Sequence, residues 1–200
     1  MLIFRCGMYF CAMPSLSLLE TIAAIFGVLS VVLARFAHIG VFPTGLVSTL
    51  LYIYICFGAG LYADMGINVW YSLLSVYGWW RWLQPKAGLE ERKVSWSAPR
   101  LRRLSVMLAM LGWVLLYFLL RAFTDSTVPE ADAFTTAVAI VGMYLMAEKK
   151  VENWLAWLVV DVVSVVLYAY KGLYISSFQF AVFTALAWWG WVSWKRMARD

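Results

Sequence analysis

Apolar residues run along this chain in long blocks broken by charge, proline and glycine, without the strict alternation that marks half-buried strands. A helix needs about 20 apolar residues to cross a hydrocarbon core. Seven stretches come to or near that length: residues 16–34, 43–61, 65–83, 104–123, 134–147, 154–170 and 174–194. The fifth and sixth are short. Backbone polar groups in lipid must be satisfied within the spanning structure, and helices do this without a closed barrel. The pattern predicts an all-α integral membrane protein with seven transmembrane helices.

Composition agrees with the pattern. Of 200 residues 64% are hydrophobic and 14% charged, against about 45–50% and 25% in soluble domains. No large soluble domain fits. The net charge of +5 would suggest nucleic acid in a soluble protein, but in a membrane protein it reads as basic loops facing the cytoplasm. Putting residues 86–103 inside collects thirteen of the sixteen Lys and Arg on that face and leaves Arg5, Arg121 and Lys171 outside. The connection 124–132 then carries Asp125, Glu130 and Asp132 outside. The expected topology is N-terminus out and C-terminus cytoplasmic. Arg5 followed by residues 16–33 resembles a signal peptide, but no small-residue cleavage site follows, so this stretch is expected to stay as the first span. Cys6, Cys11 and Cys56 have neither metal-site nor paired spacing.

Self-comparison finds an internal repeat. Gly60-Leu61-Tyr62 recurs as Gly172-Leu173-Tyr174, and Gly78-Trp79 with Trp82 recurs as Gly190-Trp191 with Trp194. Ser48, Leu51, Tyr52 and Tyr54 match Ser164, Leu167, Tyr168 and Tyr170 at a spacing longer by four, which predicts an insertion at residues 56–59 and sets Gly45 opposite Asp161. Spans one to three thus correspond to spans five to seven, in a 3+1+3 arrangement with parallel internal repeats. Residues 1–83 form the first half, 84–123 a basic loop with a linker helix, and 124–200 the second half. Transporters built from such repeats bind substrate near the midplane where the halves meet.

Polar residues inside the spans are the candidate chemistry. Asn68, Ser72 and Ser75 fall at i, i+4, i+7 on one helical face, which Trp79 and Trp82 continue. On span six Trp157, Asp161, Ser164 and Tyr168 share a face in the same way. A carboxylate at the bilayer centre costs about 2.5–3.5 kcal/mol, so Asp161 needs a partner or a cavity. No Lys, Arg or His is expected at that depth. A cationic aromatic ligand would supply the charge and stack on Trp157. The plainer alternative is a protonated Asp161 bonded to a neighbouring Ser, Asn or Tyr. Gln179 and Phe183 on span seven complete the substrate-binding candidates, with helix–helix bonding the competing role for Gln179. Glu20 reads as interfacial and His38 as solvated. With one histidine and no catalytic triad, phosphate loop or metal cluster, the chain is expected to be neither an enzyme nor a holder of a cofactor or metal.

The layout, the Gly-Trp-x-x-Trp ends, Ser75-Val76-Tyr77-Gly78-Trp79 and Val151-Glu152-Asn153-Trp154-Leu155-Ala156-Trp157 together resemble the PnuC family of bacterial vitamin-precursor transporters, over about residues 20–194. The resemblance implies a fold related to the SWEET sugar transporters, the bacterial inner membrane, and facilitated diffusion by alternating access, drawn onward by phosphorylation of the substrate inside the cell. Nicotinamide riboside is the family's default substrate. Members that take it carry Gln at the position of Asn68, Phe at Ser72, and Asn at Ser75 and Asp161. These four departures keep thiamine open as an alternative. A non-transporting binding subunit or sensor is the second alternative. The expected partners are the cationic substrate and the bilayer, not nucleic acid, and both a monomer and a homo-oligomer remain open.

Overall fold

The computed structural model describes residues 14–60, 62–84, 93–124, 128–170, 172 and 174–199. Among them are seven helices: α1 Pro14–Arg35, α2 Val41–Gly58, α3 Tyr62–Leu83, α4 Pro99–Phe123, α5 Pro129–Ala147, α6 Asn153–Tyr170 and α7 Tyr174–Met197. The fold is all-α, with one isolated parallel bridge between Ser95 and Lys150 among the described residues. The helices follow the seven apolar blocks.

Two helices start five residues ahead of their apolar runs, further than any other. α4 and α5 each open on a proline, Pro99 and Pro129, whose missing N–H costs nothing in the first turn. α5 thereby takes Glu130 and Asp132 into its first turn, where the helix dipole favours negative charge. This lengthens the short fifth span to 19 residues. Five helices, α1, α2, α4, α5 and α6, are long and apolar enough to cross a membrane. α3 and α7 have the length, 22 and 24 residues, but Asn68, Ser72 and Ser75 interrupt one apolar run and Ser177 and Gln179 the other.

The chain divides into two compact units between Arg92 and Lys93. In the first, α2 packs on α1 and α3; in the second, α5 packs on α4 and α6, and α6 on α7. Small residues let the backbones approach, as expected of membrane helices. A Cβ on Gly112 would lie 3.5 Å from Ala137 at the α4–α5 contact, and one on Gly27 would lie 3.1 Å from Ser48 Oγ at the α1–α2 contact. Ser48 itself donates to the Ala23 carbonyl at 2.8 Å. The outer face is apolar. Met107, Leu111 and Phe118 of α4 are 66%, 67% and 61% exposed, a continuous apolar surface that soluble monomers do not carry. Its solvent is lipid.

Local geometry recurs at a constant spacing of 112 residues. Ala37 and Lys149, in the turns after α1 and α5, both have positive φ, 50° and 51°. Gly60 and Gly172 do the same before α3 and α7, at 71° and 73°. α2 and α6 are both 18 residues long. Phe42 meets Trp82 edge-on at 4.8 Å, and Trp154 meets Trp194 edge-on at 5.8 Å. These elements therefore align without the four-residue insertion expected at residues 56–59. The apparent shift came from matching tyrosines and serines one helical turn out of register. In the corrected register Gly45 corresponds to Trp157, and Asp161 corresponds to Thr49.

Residues 93–98, ahead of α4, are pinned to the α5–α6 turn. Ser95 N donates to Lys149 O at 3.0 Å and Val151 N to Ser95 O at 3.1 Å. The Glu152 carboxylate accepts from Ser97 N and Oγ, all at 3.0 Å, and faces Arg102 Nε at 3.5 Å. Arg102 thus meets a counter-charge in a helix turn whose dipole disfavours cations. Trp96 also packs edge-on against Trp191 of α7 at 5.5 Å.

Candidate functional site

In the first unit the α3 stripe divides. Asn68 and Ser75 are 1% and 4% exposed, and Ser72 is half-buried. Ser72 Oγ lies 2.7 Å from Thr49 Oγ1 on α2, and Ser75 Oγ lies 3.9 Å from where a Cβ of Gly45 would sit. All three polar residues therefore belong to the inward side of α3, Ser72 and Ser75 toward α2. Trp82 is buried against Phe42, while Trp79, one turn earlier, is 37% exposed. The two tryptophans do not continue the stripe as one surface. His38 is exposed, and its Nδ1 accepts the Gly40 N–H at 3.1 Å in the turn after α1.

In the second unit Asp161, Ser164 and Tyr168 are 5%, 2% and 1% exposed along one face of α6. Trp157 is half-buried. Gly142 of α5 lies beside it: a Cβ there would press on Ala156 Cβ at 3.1 Å and reach ordinary contact with the indole, 3.6 Å from Cε2 and 3.7 Å from Nε1. Tyr168 stacks on Phe180 of α7 at 5.2 Å with planes 10° apart, and Phe180 meets Phe183 edge-on at 6.0 Å. Gln179 is half-buried next to that aromatic run. Ser177 Oγ donates to Val165 O at 2.9 Å and ties α7 to α6.

Asp161 stands halfway along α6. No hydrogen bond or ion pair from a described residue reaches its carboxylate. Three residues that pattern alone did not single out join this picture: Thr49, Gly142 and Phe180. A threonine, a glycine and a phenylalanine in apolar helices carry little signal until packing shows what they touch. Among the described residues no group of three or more His, Cys, Asp or Glu could hold a metal ion.

Among the described residues, seven helices, five of them long and apolar enough to span a bilayer, with polar side chains buried at mid-helix, define a multi-pass membrane protein. The chain belongs to the PnuC family of membrane transporters, which are not enzymes: the family profile described as nicotinamide mononucleotide transporter matches residues 17–196. The nicotinamide riboside transporter PnuC of Escherichia coli K12 is 30% identical over 92% of this chain and 88% of its own length. The riboflavin/roseoflavin transporter RibM of Streptomyces davaonensis is 29% identical over 90% of this chain and 86% of its own. Among solved structures, the crystal structure of the vitamin B3 transporter PnuC superposes with a TM-score of 0.71 at 25% identity, covering 99% of this chain and 88% of that one. The protein is thus a vitamin transporter of the inner membrane.

Proposed function

We propose that this protein takes up nicotinamide riboside by facilitated diffusion, with Asp161 as counter-charge to the pyridinium ring. The observation that carries the reading is the buried Asp161 carboxylate with no ion-pair partner among the described residues. A charge held at mid-membrane costs about 2.5–3.5 kcal/mol, and a permanently cationic substrate offsets that cost when it binds. Trp157 supplies a ring face for the cation. Asn68, Ser72, Ser75, Ser164, Tyr168, Gln179 and Phe183 complete the proposed substrate contacts. The two sets of three helices act as parallel repeats joined by the linker α4, and their rocking exposes the substrate to alternate sides. The basic segments face the cytoplasm, with the C-terminus inside and the N-terminus outside.

The riboflavin-transporting relative favours a second reading, in which a flavin is carried. Nicotinamide riboside and riboflavin share a ribose-derived hydroxylated chain on a flat heteroaromatic ring, but only the former carries a fixed positive charge. Thiamine carries the charge without the sugar. Uptake of the three labelled vitamins into proteoliposomes, driven by a substrate gradient alone, separates the readings. The expected result is flux of nicotinamide riboside that falls at least about tenfold in affinity for Asp161→Asn, as loss of a charge pairing predicts. Flux of riboflavin alone, or an Asp161→Asn variant with unchanged affinity, would refute the charge-pairing reading.

A further inference from the structure

The 112-residue register sets Thr49 of α2 at the position that Asp161 occupies in α6, and Ser72 of α3 at that of Thr184 in α7. The correspondence extends to hydrogen bonds: Ser72 Oγ donates to Asn68 O at 2.9 Å, and Thr184 Oγ1 donates to Phe180 O at 2.8 Å, again 112 residues on. The first unit thus carries, at the place equivalent to the carboxylate, a pair of hydroxyls 2.7 Å apart.

The protons of that pair are spoken for. Ser72 has one O–H, directed to Asn68 O, and Thr49 has one O–H, with Ser72 Oγ at 2.7 Å and Leu46 O at 3.3 Å as its acceptors. Whichever way the Thr49–Ser72 bond is oriented, both protons end on internal acceptors and what remains is oxygen lone pairs. A neutral site whose spare capacity is acceptance alone fits a ligand O–H, and it offers no charge that would attract a cation from elsewhere.

We propose that Thr49, with Ser72, is a specificity-determining site that accepts hydrogen bonds from the hydroxyl groups of the substrate's sugar chain. The inference rests on the function proposed above and adds Thr49 to it. A purely structural α2–α3 hydrogen bond is the competing role for the pair.

The experiment is equilibrium binding to purified protein of nicotinamide riboside and of 1-methylnicotinamide, which keeps the pyridinium charge and lacks the sugar, for wild type, Thr49→Val and Thr49→Ser. Valine matches threonine in shape and removes the hydroxyl; serine keeps it. The expected result is a loss of about five- to tenfold in riboside affinity for Thr49→Val, the scale of one hydrogen bond. Thr49→Ser should stay near wild type, and the affinity of all three proteins for 1-methylnicotinamide should be equal. Unchanged riboside binding in Thr49→Val, or an equal loss for both ligands, overturns the proposal while leaving the function standing. Failure of the wild type to bind the riboside overturns both.

Discussion

Gly190→Ala tests the packing at the α6–α7 contact. A Cβ at Gly190 would fall 2.5 Å from both Cη2 and Cζ2 of Trp154 and 2.6 Å from Cδ2, about 1 Å inside ordinary contact. The indole has little freedom to retreat: Trp154 is 2% exposed, and its neighbour Trp194, edge-on at 5.8 Å, is fully buried. Overpacking of this kind costs about 1–3 kcal/mol. Three ring atoms overlapped by about 1 Å put the cost in the upper part of that range, about 2–3 kcal/mol, and the better helix propensity of alanine returns about 1 kcal/mol, which leaves a net loss of about 1–2 kcal/mol. For a chain of this size each kcal/mol moves Tm by about 2–4 °C, so thermal unfolding in detergent should come about 2–8 °C earlier. Gly66→Ala, in α3 with nothing within 4 Å of its would-be Cβ, serves as control and should raise Tm slightly. Adding Trp154→Phe to Gly190→Ala should recover part of the loss, because Phe42 holds the equivalent place in the first unit. A Gly190→Ala protein as stable as wild type would refute the argument.

Other substitutions reach other levels of the structure. Glu152→Gln removes the charge that holds Ser97 and Arg102; with Arg102 59% exposed, screening makes its share small, and a loss of about 1 kcal/mol is expected from the Ser97 bonds, read as faster proteolysis near residues 93–103. Gly60→Ala and Gly172→Ala place a Cβ at φ near +70° and should each cost about 1 kcal/mol, with asparagine milder than alanine at both; a large difference between the two sites in thermal unfolding would contradict their equivalence. For the topology, a cysteine at Arg100 in a protein freed of its native cysteines should react with an impermeant maleimide only in inside-out vesicles. One at Glu130 should react in intact spheroplasts.

The seven helices were legible because lipid imposes one requirement on every span: enough apolar length, with all backbone groups bonded internally. Helix starts were less so. Pro99 and Pro129 extend α4 and α5 beyond their apolar runs by five residues each, since capping chemistry and not hydropathy sets where a helix begins. The inner faces of α3 and α6 could be read from spacing, and Asn68, Ser75, Asp161, Ser164 and Tyr168 are indeed buried. The fate of the Trp79–Trp82 pair could not, because which of two tryptophans is covered depends on whether a ring such as Phe42 stands opposite.

The sequence by itself determined the solvent, the seven helices among the described residues, the family and the charged residue most out of place, because each is a matter of one residue or one segment against lipid. The register of the repeat belonged to the tertiary structure. Similar aromatic letters can be aligned one helical turn apart at little cost in matches, but backbone torsions and ring contacts admit only one alignment: Ala37 with Lys149, Gly60 with Gly172, and Phe42–Trp82 with Trp154–Trp194. That alignment moved the counterpart of Asp161 from Gly45 to Thr49, and so from a residue with no chemistry to one whose hydroxyl lies 2.7 Å from Ser72. Side-chain contact between helices is a property of packing in three dimensions, and no one-dimensional pattern contains it.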